Sequence, residues 1–357
     1  MSKKILILTP FYPPNIGGAE SFIEGLAKEA SKCCHVSVLT FHPFLRKSKK
    51  FEQSKSSEGS LKVYRMNWLV KHSKAWQGVS LKNALSVIPQ MALKSIFLCV
   101  KERPKIVHAQ GLLTCLVGVF LKKIFRCKLY LTLLALYDFE SKGKIFQSVS
   151  KWIFKNCDII FCEGKNAIRD VAGMYKKDYT KHGYLKARFK IFNHWVDQEV
   201  FKPPVKPRTK KKIKILFVGR PIKKKGIHVI KAAEEAINDK RMEFNYVENV
   251  PFEDLPKYYQ SNHVLVIPSL YSEGFTRVVA ESASCGCALI VSNRGSLPEM
   301  VEPFGWVINQ HDFMRVLKGL LIVPEEVDKM SKLSLEYARE NFSPKNAEVF
   351  LNEYKIM

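Results

Sequence analysis

The chain has no Asp-x-Asp pair, no long apolar run, and a shortage of acidic residues: 33 Asp and Glu stand against 58 Lys and Arg in 357 residues, a net charge of +25. Each absence excludes something. The longest apolar stretch, Leu112 to Leu121, falls well short of the ~20 residues that a membrane-spanning helix needs. The N-terminus, MSKKILILTPFYPP, holds a short apolar run before its prolines. That is too little for a signal-peptide core and reads as a first strand. A cytoplasmic protein is expected. Cys33-Cys34 and Cys285-x-Cys287 lack the two-residue gap of zinc sites, and most of the nine cysteines sit among apolar neighbours. They read as reduced core thiols, and no metal site is expected. No zinc-finger spacing, recognition-domain signature or Gly-Arg repeat accompanies the basic residues, which argues against nucleic acid.

What is present is unevenly charged. Residues 1–225 carry 45 Lys and Arg against 14 Asp and Glu, while residues 226–357 carry 13 against 19. A basic half calls for an anionic partner, either a membrane surface or an acidic acceptor, with a solvated basic surface as the plain alternative. Anionic lipid attracts each basic residue near its surface by ~1 kcal/mol. The candidate clusters are Arg46-Lys47-Ser48-Lys49-Lys50, and Lys122-Lys123 with Arg126 and Lys128. On this charge alone, peripheral attachment to the inner face of the cell membrane is expected.

Apolar runs alternate with helical patterns along the chain. Strands are expected at Ile5–Leu8, His35–Phe41, Lys105–Ala109, Leu129–Leu134 and Asp158–Cys162, with helices over about Ala19 to Ser31 and over 80–101. The stretch 201–212, FKPPVKPRTKKK, is rich in proline and basic residues and reads as an interdomain linker. The pattern then restarts with strands at Ile213–Val218, Phe244–Val247, Val264–Ile267 and Ala288–Val291, and helices from Gly226, near Leu255 and over 276–284. The expected fold class is α/β: two Rossmann-like, doubly wound parallel-sheet domains facing across a cleft. Ligands of such sheets bind beyond the carboxyl ends of the strands. The expected division is an N-terminal acceptor-side domain over 1–200, the linker, a donor-binding domain over 213–340, and a C-terminal helix over 341–357 that crosses back to the first domain.

Three strand ends carry the chemistry. After the first strand comes Asn15-Ile16-Gly17-Gly18-Ala19-Glu20. Paired glycines before a helix let backbone approach a phosphate or sugar, although a simple turn after Pro13-Pro14 would read the same way. The third glycine of a dinucleotide fingerprint is missing. After Ile213–Val218 comes Gly219-Arg220-Pro221-Ile222-Lys223-Lys224-Lys225-Gly226. There Arg220 supplies a paired-donor fork and a lysine a mobile point charge, a clamp for a diphosphate, with an exposed basic loop as the alternative. After Val264–Ile267 comes PSLYSEGFTRVVAE, with Glu273 and Glu281 on either side of a helix start. In a continuous helix, eight positions would separate the two carboxylates by ~12 Å of rise and roughly 80° of rotation. That suits two ends of one extended polar ligand, with helix N–H groups between them for an anion. The alternative is a capping role for Glu273 and a surface position for Glu281.

Together these segments carry a resemblance. FVGRPIKKKG and IPSLYSEGFTRVVAESASCGCALIVSNRGSLPEMV resemble the second domain of the family 4 retaining glycosyltransferases, which have the GT-B fold. TPFYPPNIGGAE, KIVHAQG and IFNHWVDQEVF are similar to the family pattern more loosely, through Asn193, Val196, Asp197 and Phe201 in the last. The resemblance implies a transferase that moves a sugar from a nucleotide-diphosphate sugar to a glycan or lipid-linked acceptor of the cell envelope, retaining the anomeric configuration. By that resemblance Arg220 and Lys225 bind the donor diphosphate and Glu281 the ribose hydroxyls. Glu273, with the backbone of Gly274, Phe275 and Thr276, holds the sugar and the distal phosphate, and Gly17 and Gly18 close on the donor. Neither glutamate is expected to act as a covalent nucleophile. Transferases of the other main architecture commonly bind a metal through Asp-x-Asp, so a metal-independent reaction without further cofactor is expected. A nucleotide-sugar epimerase of the same fold and a non-catalytic sugar-nucleotide-binding scaffold are the alternatives. The chain departs from the pattern at Thr276, where a third glycine is common, and at Leu134-Ala135, where the family often has a His. His108 reads as structural more than catalytic.

Overall fold

The computed structural model describes residues 3–15, 17–43, 55–68, 81–175, 188–209, 211–248 and 250–355, with the side chains of 81–86 excepted. The Arg46–Lys50 cluster lies outside the described residues. The chain forms two compact units, Met1–Phe192 with Ala347–Met357, and Asn193–Asn346.

The first unit is built on an eight-stranded sheet in the order β3-β4-β2-β1-β5-β6-β7-β8. Its strands are β1 (Lys4–Leu8), β2 (His35–Phe41), β3 (Lys55–Glu58), β4 (Leu61–Met66), β5 (Ile106–Gln110), β6 (Lys128–Leu133), β7 (Ile159–Glu163) and β8 (Phe189–Phe192). All pairings are parallel except β3 with β4. The central strands are buried along almost their whole length because both sheet faces are covered. On one face Leu6, Val107, Leu129, Leu131 and Ile160 meet helices Leu81–Glu102, Leu112–Phe125 and Lys144–Asn156. On the other, His108, Tyr130 and Phe161 face the C-terminal helix Glu348–Lys355, whose Phe350 stacks on Phe161 at 4.1 Å and whose Tyr354 stacks on Tyr130 at 6.2 Å. Period-two alternation along each strand separates the two sets.

The second unit holds β9 (Ile213–Val218), β10 (Met242–Val247), β11 (Val264–Ile267), β12 (Ala288–Ser292) and β13 (Trp306–Ile308) in the parallel order β10-β9-β11-β12-β13. Strand order reverses between β9 and β11. At such a switch point the loops after the two strands part, leaving a crevice outside their carboxyl ends. The loops that leave β9 and β11 here are Gly219–Gly226 and Pro268–Thr276.

Two features differ from the sequence expectation. Residues 201–212 are not a free linker; they cluster with the second unit, which begins at Asn193. The Arg208 guanidinium donates to the carbonyls of Tyr259, Gln260, Cys285 and Gly286, and Phe201 is buried against Phe252 and Tyr259. A single planar fork offsets the proline-rich composition by satisfying four carbonyl oxygens. Strands β3, β4, β8 and β13 also go beyond the sequence reading. β3 is KSSE, a polar edge strand with no apolar signal.

Candidate functional site

Gly219 and Gly226 bound the first loop because their backbones need it. Gly219 has φ +151° and Gly226 φ +74°, and a Cβ on Gly226 would lie 1.9 Å from the Pro268 carbonyl oxygen. The close approach lets Leu270 N–H donate to Lys224 O at 2.8 Å, which ties the loop after β9 to the loop after β11. Gly295, at φ +59°, repeats the device: its Cβ would lie 2.1 Å from Glu273 O, which accepts from Ser296 N–H at 2.9 Å.

These braces set Glu273 opposite Lys225. Lys225 Nζ donates to Glu273 Oε1 at 2.7 Å, Ser269 Oγ donates to the same oxygen, and Tyr271 Oη donates to Oε2 at 2.9 Å. Glu273 is buried, and every one of these donors lies on the two switch-point loops. Lys225 also stands 5.5 Å from the Tyr271 ring centroid. Burial first, and then the Glu273 carboxylate, raise the Tyr271 phenol above its usual range, while Arg220 lowers it. That places the Arg220 guanidinium within electrostatic reach of the cluster. Arg220 is exposed and makes no ion pair among the described residues. Ser269 is fixed in turn, since its carbonyl accepts from Ser292 Oγ at 2.8 Å and Gln310 Nε2 at 3.1 Å.

Glu281 sits about one turn into the helix Arg277–Ser284. It is buried, its Oε1 accepts from Arg277 Nε at 3.1 Å and its Oε2 from Tyr259 Oη at 2.9 Å. The capping and surface alternatives for the two glutamates are excluded: Glu281 is interior, and Thr276 occupies the N-cap position. Phe275 turns inward, with its ring 5.2 Å from His194 and 6.2 Å from Phe342. Thr276 has φ −107°, so a side chain there costs no backbone strain, and it makes no side-chain cap. In the first unit, Gly17 stands at the N-cap of helix Gly18–Ser31 with extended backbone, φ 173°, and Gly18 is exposed. His108 is fully buried with Nε2 2.7 Å from Thr132 Oγ1 and Nδ1 against Tyr354 Oη. Burial alone pushes its pKa down to about 3.

The second unit is also where the chain matches a known family. Residues 193–328 match Glycosyl transferases group 1. The matched stretch spans both switch-point loops and both glutamates. The chain is 43% identical over 67 residues to the O-antigen chain mannosyltransferase B of Escherichia coli, a match that covers 19% of this chain and 17% of that protein. It is 25% identical over 341 residues to the uncharacterized glycosyltransferase MJ1607 of Methanocaldococcus jannaschii, covering 84% of this chain and 83% of the relative. Among solved structures, the sucrose-phosphate synthase of Thermosynechococcus elongatus superposes with a TM-score of 0.78 at 17% identity, over 98% of both chains. The Anabaena protein HepE in complex with UDP gives 0.72 at 14% identity, again over 98% of both. The fold is GT-B, and residues 193–328 of the chain are similar to the Glycosyl transferases group 1 family.

Ser269, Tyr271, Gly295, Arg277 and Tyr259 are the site residues that the sequence reading did not single out. Ser269, Tyr271 and Arg277 lie inside the quoted segment PSLYSEGFTRVVAE, so proximity to Glu273 was their one available signal. Gly295 and Tyr259 reach the glutamates through tertiary packing alone.

Proposed function

We propose that the chain is a retaining, metal-independent glycosyltransferase that moves a sugar from a nucleotide-diphosphate sugar to a glycan or lipid-linked acceptor in envelope polysaccharide synthesis. The observation that carries this is the Arg220–Lys225–Glu273 cluster, built from two loops at the switch point of the group 1 domain. Arg220 and Lys225 receive the diphosphate, Glu281 the ribose hydroxyls, and Glu273 with the Gly274–Thr276 backbone the sugar and distal phosphate. HepE, of like fold, is described in complex with UDP, which supports a nucleotide as ligand.

The chemistry follows from charge. The bond between the sugar C1 and the distal phosphate oxygen breaks with its electron pair passing to the leaving diphosphate. Arg220 and Lys225 stabilise that negative charge as it grows, which is where fixed cations lower a barrier most. The acceptor hydroxyl bonds to C1 on the face the leaving group vacates and gives its proton to the departing phosphate. Glu273 has its Oε1 occupied by Lys225 and Ser269. A diphosphate that takes over Lys225 releases part of that oxygen to the sugar hydroxyls, so donor binding and the freeing of Glu273 are one exchange. The missing Asp-x-Asp pair supports a reaction without metal.

The test is transfer from a panel of UDP-, GDP- and ADP-sugars with proton NMR of the product's anomeric centre, with and without chelator. Retained configuration that persists in chelator is expected. An inverted product, or activity restored only by a divalent ion, contradicts the reading, and nucleotide binding without donor turnover or hydrolysis marks a scaffold.

A further inference from the structure

Three consecutive helices of the first unit are apolar on two sides. Their inner stripes fill the core, as expected: Val87, Met91 and Leu98; Cys115, Val119 and Leu121; Ile153 and Phe154. Their outer stripes are exposed. Helix Leu81–Glu102 presents Leu93, Phe97 and Val100, helix Leu112–Phe125 presents Phe120 and Ile124, and helix Lys144–Asn156 presents Ile145, Val149 and Trp152. The spacings of three and four put each set on one helical stripe. With Phe146, these helices hold nine of the seventeen large hydrophobic side chains exposed among the described residues. Ile145 is 83% exposed and Leu93 73%, so no described residue of the unit covers them.

The stripes belong to one surface. The first helix packs on the second and the second on the third. Each connects parallel strands that advance the same way across the sheet, which by right-handed crossover puts all three on the same sheet face. The rings of Phe120 and Trp152 bridge the second and third helices at 6.3 Å.

The charge on this surface identifies the partner. The three helices carry eight lysines against one acidic residue, Glu102. Lysines lie over the exposed rings themselves: Lys94 and Lys101 over Phe97 at 5.2 and 5.9 Å, and Lys123 over Trp152 at 5.2 Å. Lysine is depleted at protein–protein interfaces, where its desolvation is costly. At a bilayer it is favoured, because the stem lies along the apolar layer while the ammonium stays at the phosphates, and Trp sits at the same depth. No described helix is long and apolar enough to cross a membrane, so contact is in the plane of the interface.

We propose that the outer face of helices Leu81–Glu102, Leu112–Phe125 and Lys144–Asn156 docks on an anionic lipid bilayer, with its apolar stripes seated among the acyl chains and its lysines on the headgroup phosphates. The docking is independent of the transferase reading and stands or falls without it. The test is flotation of the full chain with phosphatidylcholine vesicles, with and without phosphatidylglycerol. Binding to the mixed vesicles at least about tenfold above the neutral ones is expected. Three lysine reversals at exposed positions, Lys94→Glu, Lys123→Glu and Lys144→Glu, remove three attractions of about fivefold each, so binding falls by about a hundredfold or more. Phe97→Ser with Phe120→Ser and Ile145→Ser removes the insertion and lowers binding while leaving the net charge unchanged. All six positions are exposed, and an unchanged thermal midpoint confirms that the variants fold. Equal binding to both vesicles, no binding, or variants that bind like the parent overturn the proposal. So does concentration-dependent self-association that the serine variant abolishes, since the face would then join two copies.

Discussion

Lys225 Nζ stands 2.7 Å from Glu273 Oε1, a cation and a carboxylate from loops that follow the neighbouring strands β9 and β11. Their pairing means that the free protein already neutralises the charge a diphosphate would use. Glu273→Gln should therefore bind a nucleoside diphosphate as tightly as the parent or more tightly, while transfer falls by about a hundredfold, the scale of losing one aligned charge. Lys225→Ala should weaken diphosphate binding and transfer together. It should also cost about 1–3 kcal/mol of stability, because it strips a buried carboxylate of one donor. Calorimetry of nucleoside diphosphate binding beside initial rates checks both, and weaker binding in Glu273→Gln than in the parent would rule out the exchange.

Glu281 is held by Arg277 and Tyr259 rather than by solvent. If it also binds the ribose, Glu281→Ala should raise the donor KM by about tenfold. Tyr259→Phe should cost about 1 kcal/mol of stability and move KM far less, because the carboxylate keeps Arg277. A deoxyribose donor compared in parent and Glu281→Ala would separate the roles: the parent should discriminate against it and the variant should not.

The glycines divide by backbone. Gly295→Ala and Gly226→Ala combine positive φ with a Cβ inside contact distance of Glu273 O and Pro268 O, so each should destabilise by about 2 kcal/mol or more. Gly17 is extended, and the nearest atoms its Cβ would meet belong to the flexible Glu20 carboxylate. Gly17→Ala should therefore fold normally. A loss of donor affinity in that variant, read by calorimetry, supports its closing on the donor, and unchanged affinity removes that role.

His108 supplies a pH dependence. Its folded pKa of about 3 lies below the ordinary value of 6.5, so the folded state holds fewer protons than the unfolded. The contribution is complete above about pH 6.5 and is lost as the pH falls toward 3. Buried His194 is lowered by desolvation and Arg277 and acts in the same direction. Urea unfolding of the parent should show stability falling through this window, and His108→Gln should flatten the fall without abolishing it. An unchanged slope would contradict the burial argument.

The site was legible where chemistry and strand ends coincide in sequence. Gly219–Gly226 and Pro268–Glu281 stood out because each follows a four- to six-residue apolar strand and mixes glycine with charge. The partners of the glutamates were not legible, because Tyr259 reaches Glu281 from 22 positions away and Gly295 backs Glu273 from a loop after another strand. The polar edge strand β3 carries no apolar period to read. Residues 201–212 misled because proline and lysine content says nothing of Arg208, whose four carbonyl contacts fix the stretch to the second unit. The outer stripes of the three first-unit helices appear in sequence only as apolar residues, and exposure alone separates them from the core set.

The most direct measurement is calorimetric titration of UDP, GDP and ADP into the parent and into Arg220→Ala and Lys225→Ala. One nucleoside diphosphate should bind the parent, and each substitution should weaken it by tenfold or more. No binding by any of the three, or binding that both substitutions leave intact, would contradict a donor site at the switch point.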